Sequence, residues 1–116
     1  MRSQLKVGTP LDFDTFMTAV IDKNSFNNIS DYLREAKTSK EYEILGGGGT
    51  DDSVGYYIEP TIVQTSNPKS RLMREEIFGP VLTIYVYDHN NIDEALELCD
   101  KSTGFALTGS IFAHDQ

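Results

Sequence analysis

Glu75-Glu76-Ile77-Phe78-Gly79-Pro80-Val81 leads without a break into the apolar run Leu82-Thr83-Ile84-Tyr85-Val86-Tyr87. Two carboxylates, an aromatic ring and a Gly-Pro turn therefore stand at the mouth of a β-branched, aromatic stretch that reads as a buried strand over 82–87. In open α/β folds ligands bind at the ends of such strands, where a carboxylate can meet hydroxyl groups and a ring can meet a flat face. Without its context, a Glu-Glu pair before an apolar run is an ordinary solvated helix end.

Working outward, the segments on either side are those of an α/β chain. Phe26, Ile29, Leu33 and Ala36 recur at helical spacing with Tyr32 beside them, predicting a helix over 23–37 capped by Asp22. Glu41-Tyr42-Glu43-Ile44-Leu45 alternates as a strand, and the run 46–52 that follows, Gly46-Gly47-Gly48-Gly49-Thr50-Asp51-Asp52, is read as a flexible loop. It has neither the Lys-[Ser/Thr] closure of a P-loop nor a following helix, and its aspartates repel phosphate. Pro60 interrupts the run 55–63, which favours an edge or a strand end. Asn67-Pro68-Lys69-Ser70 is a turn, and Leu72 and Met73 form a short helical turn before the central heptad.

C-terminal to the heptad, Asn91 is expected to cap a helix over 92–101, with Glu94 completing a capping box and Gly104 ending it. Ile92, Ala95, Leu96 and Cys99 share one face, so Cys99 is expected to be buried. A reactive thiolate prefers an electropositive, accessible setting, whereas Asp93, Glu97 and Asp100 surround this one. The run 105–113 reads as a buried strand, expected to lie parallel to 82–87 through a right-handed crossover. His89 and His114 lack the second ligand two to four residues away that metal sites usually show. Near the N-terminus, Gly8 and Pro10 mark a turn, and Phe13, Phe16, Met17, Ala19 and Val20 are expected to serve ordinary packing.

Composition narrows the function classes. With 116 residues the chain is one domain or a piece of one, and a net charge of −8 argues against nucleic acid and anionic membrane partners. No apolar run approaches the roughly 20 residues of a bilayer span. A single cysteine fits a reducing compartment. The first residues show no targeting signal, so the chain is expected to begin inside a fold.

The Glu-x-Phe-Gly-Pro-Val core resembles the nicotinamide-side motif of the aldehyde dehydrogenase superfamily. The resemblance extends to Val7-Gly8-Thr9-Pro10, to Gly55-Tyr56-Tyr57-Ile58-Glu59-Pro60-Thr61 and to Leu107-Thr108-Gly109. Together with 14–22, it points most closely to the dehydrogenases of glutamate semialdehyde (1-pyrroline-5-carboxylate). It implies an α/β fold, part of a catalytic domain with a mostly parallel sheet and flanking helices. It also implies NAD as cofactor, with Glu76 accepting hydrogen bonds from the nicotinamide ribose hydroxyls and Phe78 packing beside that ribose and ring. An ionised carboxylate can take a vicinal diol with both oxygens. Glu75 is expected to be the more solvated of the pair.

By the same resemblance the whole enzyme oxidises L-glutamate γ-semialdehyde to glutamate in proline degradation. It is a homo-oligomer, in the mitochondrial matrix of a eukaryote or the cytoplasm of a bacterium. The family's Gly-Gln-x-Cys nucleophile segment and its Rossmann domain do not occur in 1–116, so the chain is expected to be a fragment of the catalytic domain and inactive alone. The alternative is a non-catalytic acidic α/β domain retained for binding or assembly.

Overall fold

The computed structural model describes residues 4–114. Helix α1 (Lys23–Thr38) starts where the sequence places it: the Asp22 carboxylate accepts from the Ser25 N–H at 2.7 Å and satisfies a free first-turn donor. Its apolar stripe, Phe26, Ile29, Tyr32, Leu33 and Ala36, is buried against a sheet. Strand β1 (Tyr42–Gly46) follows after a tight connection. A two-stranded ribbon, β2 (Thr50–Asp51) with β3 (Tyr57–Ile58), then leads into β4 (Thr61–Thr65). Short helix α2 (Arg71–Arg74) precedes β5 (Val81–Tyr85), and a 3-10 turn, His89–Asn91, opens helix α3 (Ile92–Lys101).

The α/β class is as read, and within it the main sheet is mixed, ordered β1-β4-β5. Strand β4 pairs antiparallel with β1 and parallel with β5 in the register Thr61↔Val81 to Thr65↔Tyr85. Strand β4 is thus central, and of the two positions Pro60 suggested, an edge or a strand end, it takes the strand end. The proline is accommodated because it precedes the strand, whose first N–H, that of Thr61, donates to the Pro80 carbonyl at 2.8 Å. Alternation along β4 buries Thr61, Val63 and Thr65, and Val63 joins the α1 stripe, Tyr42, Ile58, Leu72 and Ile77 in one core.

Several expectations are corrected. The glycine run is a built turn rather than a flexible loop. Gly47 (φ 83°) and Gly48 (φ 90°) occupy the left-handed region, and a Cβ on Gly47 would lie 2.3 Å from the Pro60 carbonyl oxygen. The Gly48 N–H donates to the Thr61 hydroxyl, and Lys37 Nζ donates to the Gly48 carbonyl.

Residues 105–113 form no strand. Phe105, Leu107, Ile111 and Phe112 are exposed, and the parallel partner of β5 is β4; the other edge of β5 is left unpaired among the described residues, so the run gains no ladder bonds. Helix α3 has the expected bounds, but Asn91 makes no side-chain cap; Asp88 accepts from the Asn90 N–H and caps the 3-10 turn instead. The helix ends at Lys101 with Ser102 as its cap, short of Gly104. Ile92 and Leu96 are about half exposed, and Cys99 on the same helix is exposed, not buried. Phe13 and Phe16 are likewise exposed, whereas Val20 packs on the core and its N–H reaches the Tyr56 carbonyl.

Candidate active-site wall

Helix α2 stops at Glu75, whose N–H still bonds the Arg71 carbonyl while its own backbone has turned extended (φ −98°, ψ 136°). Glu75 reaches Tyr32 on α1, Ile77 enters the core, and Glu76 and Phe78 are exposed. Ile77 is the anchor at 8 % exposure, while Phe78 is 86 % exposed.

Two features keep that arrangement rigid. Phe78 has φ 57°, a left-handed conformation that a bulky side chain adopts only when its surroundings impose it. Gly79 presses so close to α1 that a Cβ there would lie 2.4 Å from Ile29 Cδ1. Beyond it the Val81 N–H turns back to the Gly79 carbonyl at 2.8 Å, and β5 begins against β4.

Both carboxylates are exposed, and Glu75, expected to be the more solvated, is the one with hydrogen-bond partners. Its Oε2 accepts from the Tyr32 hydroxyl at 2.5 Å and from Arg71 Nε at 3.0 Å. The same guanidinium donates to Glu35 Oε2 at 2.9 Å and stacks over the Tyr32 ring, 4.1 Å from its centre. The Tyr32 hydrogen bond, followed by Arg71, holds the Glu75 carboxyl below the usual carboxylate range. The same hydrogen bond, followed by burial, pushes the Tyr32 phenol up. Arg71 is raised by Glu35 first and then by Glu75. Glu76 enters no hydrogen bond or ion pair among the described residues and is exposed.

Glu76 and Phe78, the two site residues named from the sequence, are thereby brought onto one cleft of about 490 Å³, whose walls include Leu72, Met73, Val81 and Thr83. Thr83 was not singled out from the sequence. Its hydroxyl, in the middle of β5, is buried without a hydrogen-bond partner. The cleft offers an uncommitted carboxylate, an uncovered ring and an apolar floor, a combination suited to a ligand with adjacent hydroxyls and a flat face. Among the described residues no group of three or more His, Cys, Asp or Glu side chains could hold a metal ion, and no helix is long and apolar enough to cross a membrane.

A strap of this kind at the mouth of a parallel strand coincides with a family match over the entire chain: the chain belongs to the aldehyde dehydrogenase family, matched over residues 1–116. Among its relatives is the mitochondrial delta-1-pyrroline-5-carboxylate dehydrogenase of Dictyostelium discoideum, 53 % identical over 109 residues, covering 94 % of this chain and 20 % of that protein. The human mitochondrial enzyme of the same name is 49 % identical over 115 residues, covering 98 % of this chain and 20 % of the relative. The fold is similar to that of the NAD-bound delta-pyrroline-5-carboxylate dehydrogenase from Mycobacterium tuberculosis, with a TM-score of 0.86 and 31 % identity over 98 % of this chain and 20 % of that one. The chain spans about a fifth of the length of these relatives.

Proposed function

We propose that this chain forms the nicotinamide-ribose wall of an NAD-dependent dehydrogenase that oxidises L-glutamate γ-semialdehyde to glutamate in proline degradation. The substrate follows from relatives that carry the 1-pyrroline-5-carboxylate dehydrogenase name, and the cofactor from a neighbour solved with NAD. On this reading residues 1–116 are a piece of the catalytic domain, and the nucleophile and the dinucleotide-binding domain lie elsewhere in the complete protein. That protein is a homo-oligomer, working in the mitochondrial matrix if eukaryotic and the cytoplasm if bacterial.

The observation that carries the proposal is the division of labour along the strap. Ile77 and Gly79 are committed to the core and to α1, whereas Glu76 and Phe78 remain exposed on the cleft. Glu76 is suited to hold the ribose hydroxyls with two acceptor oxygens, and Phe78 to pack beside the ribose and ring. Bound NAD supplies the hydride acceptor; the chain's own contribution is to fix where that acceptor lies and to shield one side of it from water.

The test is Glu76→Gln in the complete dehydrogenase. It keeps the shape but removes the charge, and a charge-assisted bond of roughly 1.5–3 kcal/mol corresponds to about a ten- to hundredfold loss in single-turnover NADH formation. Glu75→Gln should cost much less, because its partners lie on α1 and α2. Equal losses at both positions would put the motif out of register by one residue. The isolated chain should show no saturable calorimetric signal with NAD in the micromolar range, since a ribose wall alone repays little of the cost of ordering the ligand.

A further inference from the structure

We propose that Tyr32, Arg71 and Glu35 are positioning residues that lock Glu75 against α1, and so commit the adjacent carboxylate, Glu76, to the cleft. The inference rests on the reading that Glu76 holds the nicotinamide ribose. Both carboxylates border the same cleft, so the backbone alone does not decide which of them faces a ligand. A second carboxylate free to swing in would compete for the diol and repel the first.

Four side chains from two directions prevent that. Tyr32 and Glu35 sit three residues apart on one face of α1, and Arg71 and Glu75 sit four apart across α2 and its cap. The Arg71 guanidinium uses Nε for Glu75 and NH1 for Glu35 while its face lies on the Tyr32 ring. Only a planar, forked cation can bridge two carboxylates and stack at once, so lysine is not an equivalent. The Tyr32 hydroxyl then donates to the same Glu75 oxygen that Arg71 Nε holds. The Glu75 carboxylate is therefore tied to both helices, while Glu76, one residue on, is left without a partner among the described residues. Tyr32 is itself 4 % exposed, so its hydroxyl has no freedom to follow a departing carboxylate.

The experiment is NAD titration by calorimetry, with steady-state kinetics alongside, on the complete dehydrogenase that contains this segment. Tyr32→Phe keeps the ring and its stacking but removes one of the two bonds that hold Glu75, leaving it on Arg71 alone. We expect NAD binding to weaken about three- to tenfold, the scale of one hydrogen bond, with the KM for NAD rising and that for the aldehyde unchanged. Adding Glu75→Gln to Tyr32→Phe removes the competing charge and should restore binding to within about twofold of the parent, a rescue that a purely structural role of Tyr32 does not produce. Arg71→Lys should behave like Tyr32→Phe. A Tyr32→Phe defect that Glu75→Gln leaves untouched, or no defect at all, overturns the proposal. Glu76→Gln in the same titration separates the two ideas. If it weakens NAD binding while Tyr32→Phe does not, only the clamp fails; if it has no effect, the ribose assignment fails and the clamp with it.

Discussion

Gly79→Ala is expected to lower stability by a specific steric route, and a second substitution should relieve it. The added Cβ would lie 2.4 Å from Ile29 Cδ1 and 3.1 Å from its Cγ1. Ordinary carbon contacts are about 3.5–4.0 Å, so a displacement of about 1 Å is needed. Ile29 is 0 % exposed and belongs to one core cluster with Phe26, Leu33 and Val63, so its displacement disturbs packed neighbours. Overpacking of this kind costs about 1–3 kcal/mol. With a urea slope of about 1–2 kcal/mol per molar for a small domain, the denaturation midpoint should fall by about 1 M. Gly79 is not among the residues with positive φ, so the demand at this position is for space rather than for a special backbone conformation. Ile29→Val deletes Cδ1 and on its own costs about 0.5–1.5 kcal/mol. In the double variant the clash is largely gone, and the combined loss should be smaller than the two single losses added, by about 1 kcal/mol. Urea denaturation of the four proteins, followed by far-UV circular dichroism, measures that coupling. Strict additivity would refute the argument that α1 needs glycine at this point.

Two further outcomes follow from the same strap and its clamp. Phe78→Gly removes a ring that is 86 % exposed and relieves a left-handed conformation costing about 1–2 kcal/mol, offset by about 0.5–1 kcal/mol of glycine flexibility. Stability should therefore stay within about 1 kcal/mol of the parent while NAD binding by the complete dehydrogenase weakens; a large fall in melting temperature would show that the ring is packed. The clamp also has a defined pH window. The lowered Glu75 carboxyl contributes stability that is present above the ordinary carboxylate value and is lost as pH falls through its depressed one. The raised Tyr32 phenol contributes fully below about pH 10 and is lost only as pH climbs past its elevated value. Tyr32→Phe removes the largest cause of the Glu75 shift, so the acid limb should move up toward the ordinary carboxylate value in a carboxyl-carbon NMR titration; an unchanged Glu75 midpoint would rule out the Tyr32 bond.

Local chemistry was the part of this fold that the sequence made legible. The Asp22 cap and the apolar stripe of α1 depend on residues within a few positions of one another, and both are found as read. The bounds of α3 were equally visible, but its stripe announces only which face is apolar, not whether anything covers it. That is why Cys99 is exposed where burial was expected. The segment at 105–113 failed for a related reason: β-propensity reports fit to a pleated, half-buried surface, and this run stays exposed. The bond to Glu75 was not legible because the Tyr32 hydroxyl that makes it is 43 residues away, and no local pattern carries that pairing. The glycine turn depends likewise on the Pro60 carbonyl, thirteen residues beyond Gly47.

Contacts on both sides of the strap explain why the heptad's order cannot be permuted. Ile77 must enter the core while Phe78 stands exposed, and the Tyr32 and Arg71 bonds hold Glu75 on the side of α1. A slip of one residue would carry Glu76 toward Tyr32 and Arg71, turn Ile77 out to solvent and drive the Phe78 ring toward the space that Ile77 fills. It would also bring Pro80 to the place where Gly79 passes Ile29 with no room for a Cβ. Several independent penalties therefore fix a single register: loss of a buried anchor, a steric clash at α1, and loss of the Thr61 bond to the Pro80 carbonyl that starts the β4–β5 ladder. The left-handed backbone at Phe78 is tolerated because that register is over-determined on both sides. A backbone held in this way fixes where the Glu76 and Phe78 side chains leave the strap, and on the proposed function that part of the ordering cost stays out of the binding step.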